Sequence, residues 1–421
     1  MKIFKKTIFT GFAPNLTGRD VIISLGYLLL PWRWPKISSG KYIAKVEKKL
    51  QEYFNIEHAY TFDSGRSTLY YALKALGAGD GDEILVQAYT CVVVVNAIKF
   101  TGAKPIFVDI DNNFNMDPAN MESRLSAKSK ILIIQHTFGQ PAELNQLIEI
   151  AKKHNLKIIE DCAHSLGARY DGKLTGTFGQ IGMLSFGSDK IISCARGGAL
   201  IANDNETGNK IKNLYLQLPR PKLTKTLQHL MHFPIFYIAK PIYHLIIGKI
   251  ILILAKKLNI FNKIIYKNEK IGEEVSFYPA KLANSLAHIL HWQINEIEQL
   301  NMHRRNISKI YNEKISNAHI NSPWRDNKIN LENNACLRYP ILVKNPINLL
   351  AYAKKHGIIL GDWYSQAIAP KDINLDKTGY MLNQCPKAEK LAGQSVNLPT
   401  DRHITNEQAD KIIKIINSYA D

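Results

Sequence analysis

Between residues 56 and 204 the chain alternates two kinds of pattern. Short β-branched, apolar runs fall at 83–87, 104–109, 130–135, 157–161, 183–186 and 199–202. Between several of them apolar residues recur at helical spacing, over 67–76, 91–100 and 142–154. Strands that alternate with helices predict an α/β fold, a mostly parallel central sheet with helices on both faces. Ligands bind such sheets beyond the carboxyl ends of the strands, so the residues that follow each run carry the functional question.

The flanks read differently. Residues 42–54 place Val46, Leu50 and Phe54 on one helical face, with Lys and Glu on the other. Residues 1–45 mix Gly, Pro, Trp and Arg and predict an irregular N-terminal arm. A large domain is expected over 46–218 and a basic, apolar helical insert over 219–270, the latter punctuated by Pro219, Pro221, Pro234 and Pro241. A long helix (282–311) and a smaller C-terminal α+β domain are expected within 271–421, with a strand at 338–343 and helices at 346–355 and 406–419. A membrane span needs ~18–20 uncharged apolar residues. The longest candidate, 226–239, lies between Lys225 and Lys240 and contains two His, a Gln and a Pro. The N-terminus lacks the apolar core and the small-residue cleavage site of a signal peptide, which predicts a cytoplasmic protein.

With 46% hydrophobic and 21% charged residues in 421, the composition is globular and excludes disordered and fibrous classes. Cys91, Cys162, Cys194, Cys336 and Cys385 are widely spaced, odd in number and form no CxxC pair. No disulfide framework or zinc site is therefore expected, and no metal. The net charge of +18 changes the picture only through its distribution: residues 210–270 hold twelve Lys/Arg and a single acid, Glu269. Such a cluster attracts a lipid surface, nucleic acid or a phosphorylated molecule.

Three stretches carry candidate chemistry. Asp63-Ser64-Gly65-Arg66-Ser67 opens a helical pattern, and free N–H groups, hydroxyls and an Arg there form a phosphate cradle. Alone, Ser64 reads equally as a plain N-cap. Glu160-Asp161-Cys162-Ala163-His164 ends an apolar run in carboxylates, which suit a metal, a ribose or a protonated ring nitrogen, or a helix cap or salt bridge. Ser185-Phe186-Gly187-Ser188-Asp189-Lys190 ends another run with a single Lys ahead of Cys194-Ala195-Arg196-Gly197-Gly198. An amine held near a carboxylate and a phosphate cradle is placed for Schiff-base chemistry.

Together these motifs resemble the DegT/DnrJ/EryC1/StrS family of sugar aminotransferases, which use pyridoxal 5′-phosphate (PLP) on the aspartate-aminotransferase-like fold (PLP fold type I). The resemblance rests on Ser64-Gly65-Arg66-Ser67-Thr68-Leu69, on 102–111, on His136-x-x-Gly139-Gln140-Pro141, on Glu160-Asp161-x-Ala163-His164, on Gly176–Gly179 with Ser185-Phe186-x-x-x-Lys190, and on Cys385-Pro386-x-Ala388-Glu389-Lys390-Leu391 with Asn397-Leu398-Pro399. It implies that Lys190 holds the cofactor and moves the proton, that Asp161 pairs with the ring nitrogen, that His164 lies near the ring hydroxyl, and that Ser64, Gly65, Arg66 and Ser185 hold the phosphate. It also implies a homodimer, a nucleotide-linked keto sugar as substrate, an amino-acid donor (glutamate by family analogy), and a role in cell-surface polysaccharide biosynthesis.

Three positions depart from the family pattern. Arg66 replaces the common Thr. Cys91 stands where an aromatic usually stacks on the ring, so either Cys91 or Tyr89 is expected on the ring face. Ser276-Phe277-Tyr278-Pro279 lacks the Asn and Arg that usually reach the partner's cofactor. Tyr89, Trp363 and Tyr364 are expected to face the substrate. Three readings of 219–270 stay open: a packing or covering hairpin, an in-plane helix on an anionic membrane at its inner face, or a polyanion site, although no nucleic acid is expected. Alternatives for the whole chain are a PLP-dependent sugar dehydratase, a transaminase on a lipid-linked substrate, or a catalytically silent, membrane-associated family member.

Overall fold

The structure is a computed structural model and describes residues 7, 8, 11 and 13–420. Its central sheet joins β1 (His58–Phe62), β2 (Glu83–Gln87), β3 (Lys104–Val108), β4 (Ser129–Gln135), β5 (Lys157–Asp161), β6 (Ile181–Ser185) and β7 (Gly198–Ala202) in the spatial order β1-β7-β6-β5-β4-β2-β3. Only β7 runs antiparallel to its neighbours. Successive side chains of a strand face opposite sides, and here both sides are dry. Ile84 and Val86 of β2 and Ile131 and Ile133 of β4 join one core with Leu69 and Leu73, whereas Leu85, Leu132 and Ile134 join another with Leu144 and Leu147. That two-sided burial explains the unbroken apolar runs read from the sequence.

The N-terminal segment departs from expectation. Residues Gly18–Leu29 form a helix, α1, rather than an irregular arm. Thr17 caps it, and Asp20 returns the bond to the Thr17 N–H at 2.9 Å, a reciprocal box that starts a helix despite two glycines. α2 (Lys41–Phe54) buries Val46, Leu50 and Phe54 as the spacing required. α3 (Gly65–Ala75) follows β1, and α4 (Val92–Lys99) and α5 (Leu144–Lys153) follow β2 and β4. β1 escaped the sequence reading because His58, Tyr60 and Thr61 break its apolar run.

Beyond the sheet, α6 (Asn205–Leu216) leads into α7 (Leu223–Ala239) and α8 (Ile247–Lys257). The expected long helix divides at Ile294–Glu296 into α9 (Asn284–Gln293) and α10 (Ile297–Lys314). The C-terminal part holds a three-stranded antiparallel sheet of β8 (Ile320–Asn321), β9 (Arg338–Val343) and β10 (Ser395–Pro399). Among the described residues, no helix is long and apolar enough to cross a membrane.

Candidate active site

The carboxyl ends of β5 and β6 and the amino end of α3 converge on a cleft of about 840 Å³. Its lining includes Ser64, Gly65, Arg66, Cys91, Asp161, His164, Ser185 and Lys190, together with Trp363 and Tyr364. Groups far apart in the sequence thus meet where an α/β sheet presents its ligands.

At the amino end of α3, Ser64 is the N-cap and its Oγ accepts from the Ser67 N–H at 3.2 Å. The first turn of any helix leaves N–H groups without partners and carries partial positive charge. Gly65 lets Ser185 approach: a Cβ at position 65 would lie 2.8 Å from Ser185 Oγ and 3.0 Å from its Cβ. Gly198 is required for the same reason, because a Cβ there would lie 2.6 Å from Thr68 Oγ1 and 3.0 Å from the Gly65 nitrogen. Asp63 beneath this turn accepts from Ser67 Oγ at 2.6 Å, and burial pushes its carboxyl up to about 7.

At the end of β5, Asp161 Oδ1 accepts from the Ala163 N–H at 2.9 Å. Burial pushes its carboxyl up, opposed by that bond and by the charges of Lys190 and His136. Burial, reinforced by Lys190 and Arg338, pushes His164 well below its ordinary range, so the imidazole is neutral. Its ring lies nearly parallel to those of Tyr364, 6.0 Å away, and Phe138, 6.4 Å away. One residue earlier, Glu160 accepts from the Gly176, Phe178 and Gly179 N–H groups at 2.6–2.9 Å, and His136 Nε2 lies 3.3 Å from it. These bonds clamp the 176–179 turn to β5, and they engage the Glu160 and His136 atoms of the buried His136/Glu160/Cys162 cluster, which has metal-ligand spacing.

Lys190 sits in the turn after β6, its N–H donating to the Gly187 carbonyl at 3.2 Å and its carbonyl accepting from Asn15 at 2.6 Å. Asp189 beside it stays charged. Burial raises its carboxyl, but Lys190 and Arg338, the latter 3.6 Å away, hold it below the ordinary value.

One placement differs from expectation. Tyr89 does not reach the cleft. Its backbone takes φ +69°, its ring is fully buried against Phe114 and Tyr364, and its hydroxyl pairs with Ser395 Oγ at 2.8 Å. Cys91 does line the cleft, where burial raises its thiol to about 11 and leaves a small neutral group. Arg66 also lines it but is held from behind: it donates to Glu269, to Tyr278 Oη at 2.9 Å and to the Ile264 carbonyl at 2.7 Å.

Arg196, Asn262 and Ile264 are cleft residues that the sequence reading did not assign. Arg196 Nε donates to Asn262 Oδ1 at 3.0 Å, its Nη2 donates to the Lys263 carbonyl, and its guanidinium lies over the rings of Tyr266 and Tyr278. Its Nη1 is buried without a partner, although the residue is only 4% exposed. An orphaned cationic donor is costly unless an anion completes it. With the α3 amino end, Ser64, Ser185 and two guanidiniums at one pole and Asp161 at another wall, the residues present fit a phosphorylated pyridine aldehyde such as PLP.

The family model for the DegT/DnrJ/EryC1/StrS aminotransferase family matches residues 33–233 and 253–417. The chain belongs to that family. The unmatched residues between the two stretches, 234–252, fall inside the apolar insert and span the end of α7, the turn after it and the first half of α8. GDP-perosamine synthase of Escherichia coli O157:H7 is 41% identical over 195 residues, 46% of this chain and 52% of that one, so the match spans about half the length of that relative. The pleiotropic regulatory protein of Geobacillus stearothermophilus is 27% identical over 382 residues, 90% of each chain. Among solved structures, Helicobacter pylori PseC, an aminotransferase involved in the biosynthesis of pseudoaminic acid, has a TM-score of 0.73 at 20% identity and 98% coverage of both chains. The PLP form of a sugar aminotransferase from Streptococcus pneumoniae has a TM-score of 0.71 at 19% identity, covering 96% of this chain and 97% of that one. The DegT/DnrJ/EryC1/StrS chain therefore has the fold of these PLP enzymes, a mostly parallel α/β sheet with a smaller C-terminal part, as its sequence pattern predicted.

Proposed function

We propose that this family member is a PLP-dependent aminotransferase that converts a nucleotide-linked keto sugar to an amino sugar, taking the amino group from an amino acid, glutamate by analogy, for surface-polysaccharide synthesis. The observation that carries the reading is the lining of one cleft by Lys190, Asp161 and an anion cradle. Relatives named GDP-perosamine synthase and dTDP-3-amino-3,4,6-trideoxy-alpha-D-glucose transaminase support a nucleotide-linked acceptor.

PLP, when bound, supplies a carbonyl for the amine and an electron sink for the carbanion that deprotonation creates. This chain's residues do the rest. Ser64, Gly65, Ser185, Arg66 and Arg196 orient the phosphate. Asp161, held by the Ala163 N–H, is the carboxylate that would pair with the ring nitrogen of a bound cofactor and favour its protonated form, because a cation beside a buried carboxylate stabilises both charges. Neutral His164 offers a hydrogen bond to the ring hydroxyl without adding charge. Lys190 is the amine that would hold the aldehyde of a bound cofactor and, once free, would serve as the base and acid of the proton transfer. Trp363 and Tyr364 shield the cleft from water and meet the sugar. Two protomers form the working unit.

The test is a panel of amino donors and nucleotide-linked keto sugars, read by 2-oxo acid release and by the cofactor's visible absorbance. The wild type is expected to form one 2-oxo acid per amino sugar. Lys190→Ala is expected to lose both the covalent band and turnover. Turnover retained by that variant, or water release without 2-oxo acid from the wild type, overturns the assignment.

A further inference from the structure

α8 is built inside out. It presents its small residues, Gly248 and Ala255, to the protein. A Cβ on Gly248 would lie 2.2 Å from the Ala239 carbonyl oxygen, so only glycine allows α8 this close to the end of α7. The large residues Ile246, Ile247, Ile250, Ile253, Leu254 and Leu258 are instead 49–68% exposed. Their spacing of three and four draws one apolar stripe along the outer side of the helix. Lys249, Lys256 and Lys257 are exposed beside it. α7 anchors the pair, burying Leu230, Phe233 and Phe236 in the core.

A second exposed apolar set adjoins this one through α7. α1 packs on α7, where Ser24 Oγ donates to the Leu230 carbonyl at 2.7 Å. α1 and the turn after it leave Ile22, Leu29, Trp32 and Trp34 54–72% exposed. Monomeric soluble proteins rarely leave an apolar stripe as long as that of α8 exposed without a partner.

We propose that the α8 face is a docking surface for an anionic lipid bilayer, on which the helix lies in the plane of the head groups. Three observations select that occupant. The helix is too short to span, but its apolar stripe and flanking lysines are those of an interfacial helix. The sequence holds no Asp or Glu between Glu206 and Glu269, so the face is cationic and complements phosphate head groups. A second copy of the chain fits worse, because a two-fold contact centred on α8 brings the cationic set Lys249, Lys256 and Lys257 of one copy against the same set of the other, with no acid between Glu206 and Glu269 to pair with it. Membrane docking would hold the cleft beside a lipid surface whatever its substrate, and it stands or falls independently of the transamination assay.

The test is flotation of the full-length holoenzyme with vesicles of phosphatidylcholine alone or with 30% phosphatidylglycerol, at low and high salt. The expected result is flotation with the anionic vesicles that weakens with salt. The double variant Ile250→Glu/Leu254→Glu should bind at least tenfold less while keeping the wild-type cofactor absorbance and transaminase rate. Lys249→Gln/Lys256→Gln/Lys257→Gln should lose the preference for phosphatidylglycerol. The proposal is overturned if the wild type stays in the soluble fraction. It is also overturned if the Glu variant binds as well as wild type, which would reduce binding to surface charge adsorption. A Glu variant that runs as a smaller species on light scattering without vesicles would assign the face to a second copy and overturn it as well.

Discussion

Arg196→Met is the most discriminating substitution at the cleft. In the structure Arg196 is buried, two of its nitrogens are satisfied by Asn262 and Lys263, and Nη1 alone faces an unfilled need. A hydrogen bond to a charged group contributes about 1.5–3 kcal/mol, or roughly 10- to 140-fold in a dissociation constant. The variant is therefore expected to bind PLP about 30-fold more weakly. Met also leaves the Asn262 and Lys263 acceptors unpaired, which lowers the stability of the apo protein whether or not Arg196 touches the cofactor. The informative quantity is the difference between holo and apo stability. With ligand at a hundred times the wild-type dissociation constant, binding stabilises the folded state by about 2.7 kcal/mol. A 30-fold weaker site at the same concentration leaves about 0.9 kcal/mol. Paired denaturation curves with and without PLP measure that increment, and a direct absorbance titration measures the affinity. An unchanged increment in a destabilised Arg196→Met protein would show that Arg196 only braces the 262–264 segment and refute its role at the phosphate.

Three other outcomes follow from the geometry. Gly65→Ala places a methyl 2.8 Å from Ser185 Oγ and should weaken PLP binding at least tenfold by turning that hydroxyl away, with apo stability unchanged or improved by helix propensity, as titration and melting will show. Tyr89→Phe removes a hydroxyl that lies outside the cleft, paired with Ser395 Oγ at 2.8 Å and accepting from the Tyr364 backbone N–H at 3.4 Å, so it should cost about 1 kcal/mol of stability with kcat within twofold of wild type; a large loss of kcat would return Tyr89 to the ring face. Burial, then Arg33, His291, Lys41 and Lys45, hold the His288 imidazole at about 4, below its ordinary 6.5. The unfolded chain takes up that proton first, so stability should fall as pH drops from 6.5 toward 4, and His288→Phe, which keeps the stack on Tyr42, should flatten the decline in denaturant midpoints between pH 7 and 5.

The sheet was legible because a strand buried on both faces needs an unbroken apolar run, and the residues ending those runs face the ligand by topology alone. Asp161, Ser185 and Lys190 were therefore visible as candidates at the ends of runs, whereas their roles, and the choice of Ser64 after the unread β1, came from the family resemblance. α1 was hidden because its start depends on the Thr17–Asp20 box, and Gly18, Gly26 and the nearby prolines resemble loop composition. Tyr89 misled because a single left-handed backbone residue turns its ring into the core, and no local pattern announces that turn. Arg196 and Asn262 lie 66 positions apart, so their pairing becomes visible only once the chain has folded.

The Ile264 carbonyl accepts from Arg66 at 2.7 Å and from Arg196 at 3.4 Å, seven positions beyond the end of α8. The insert is thus no detachable appendage. Its outer helix could be trimmed at the α7–α8 turn, where the family match is already interrupted, but excising the whole of 219–270 would strip a wall from the chamber and unseat both guanidiniums. An engineer seeking a minimal version of the enzyme must keep residues 259–270 and the register in which they re-enter the body.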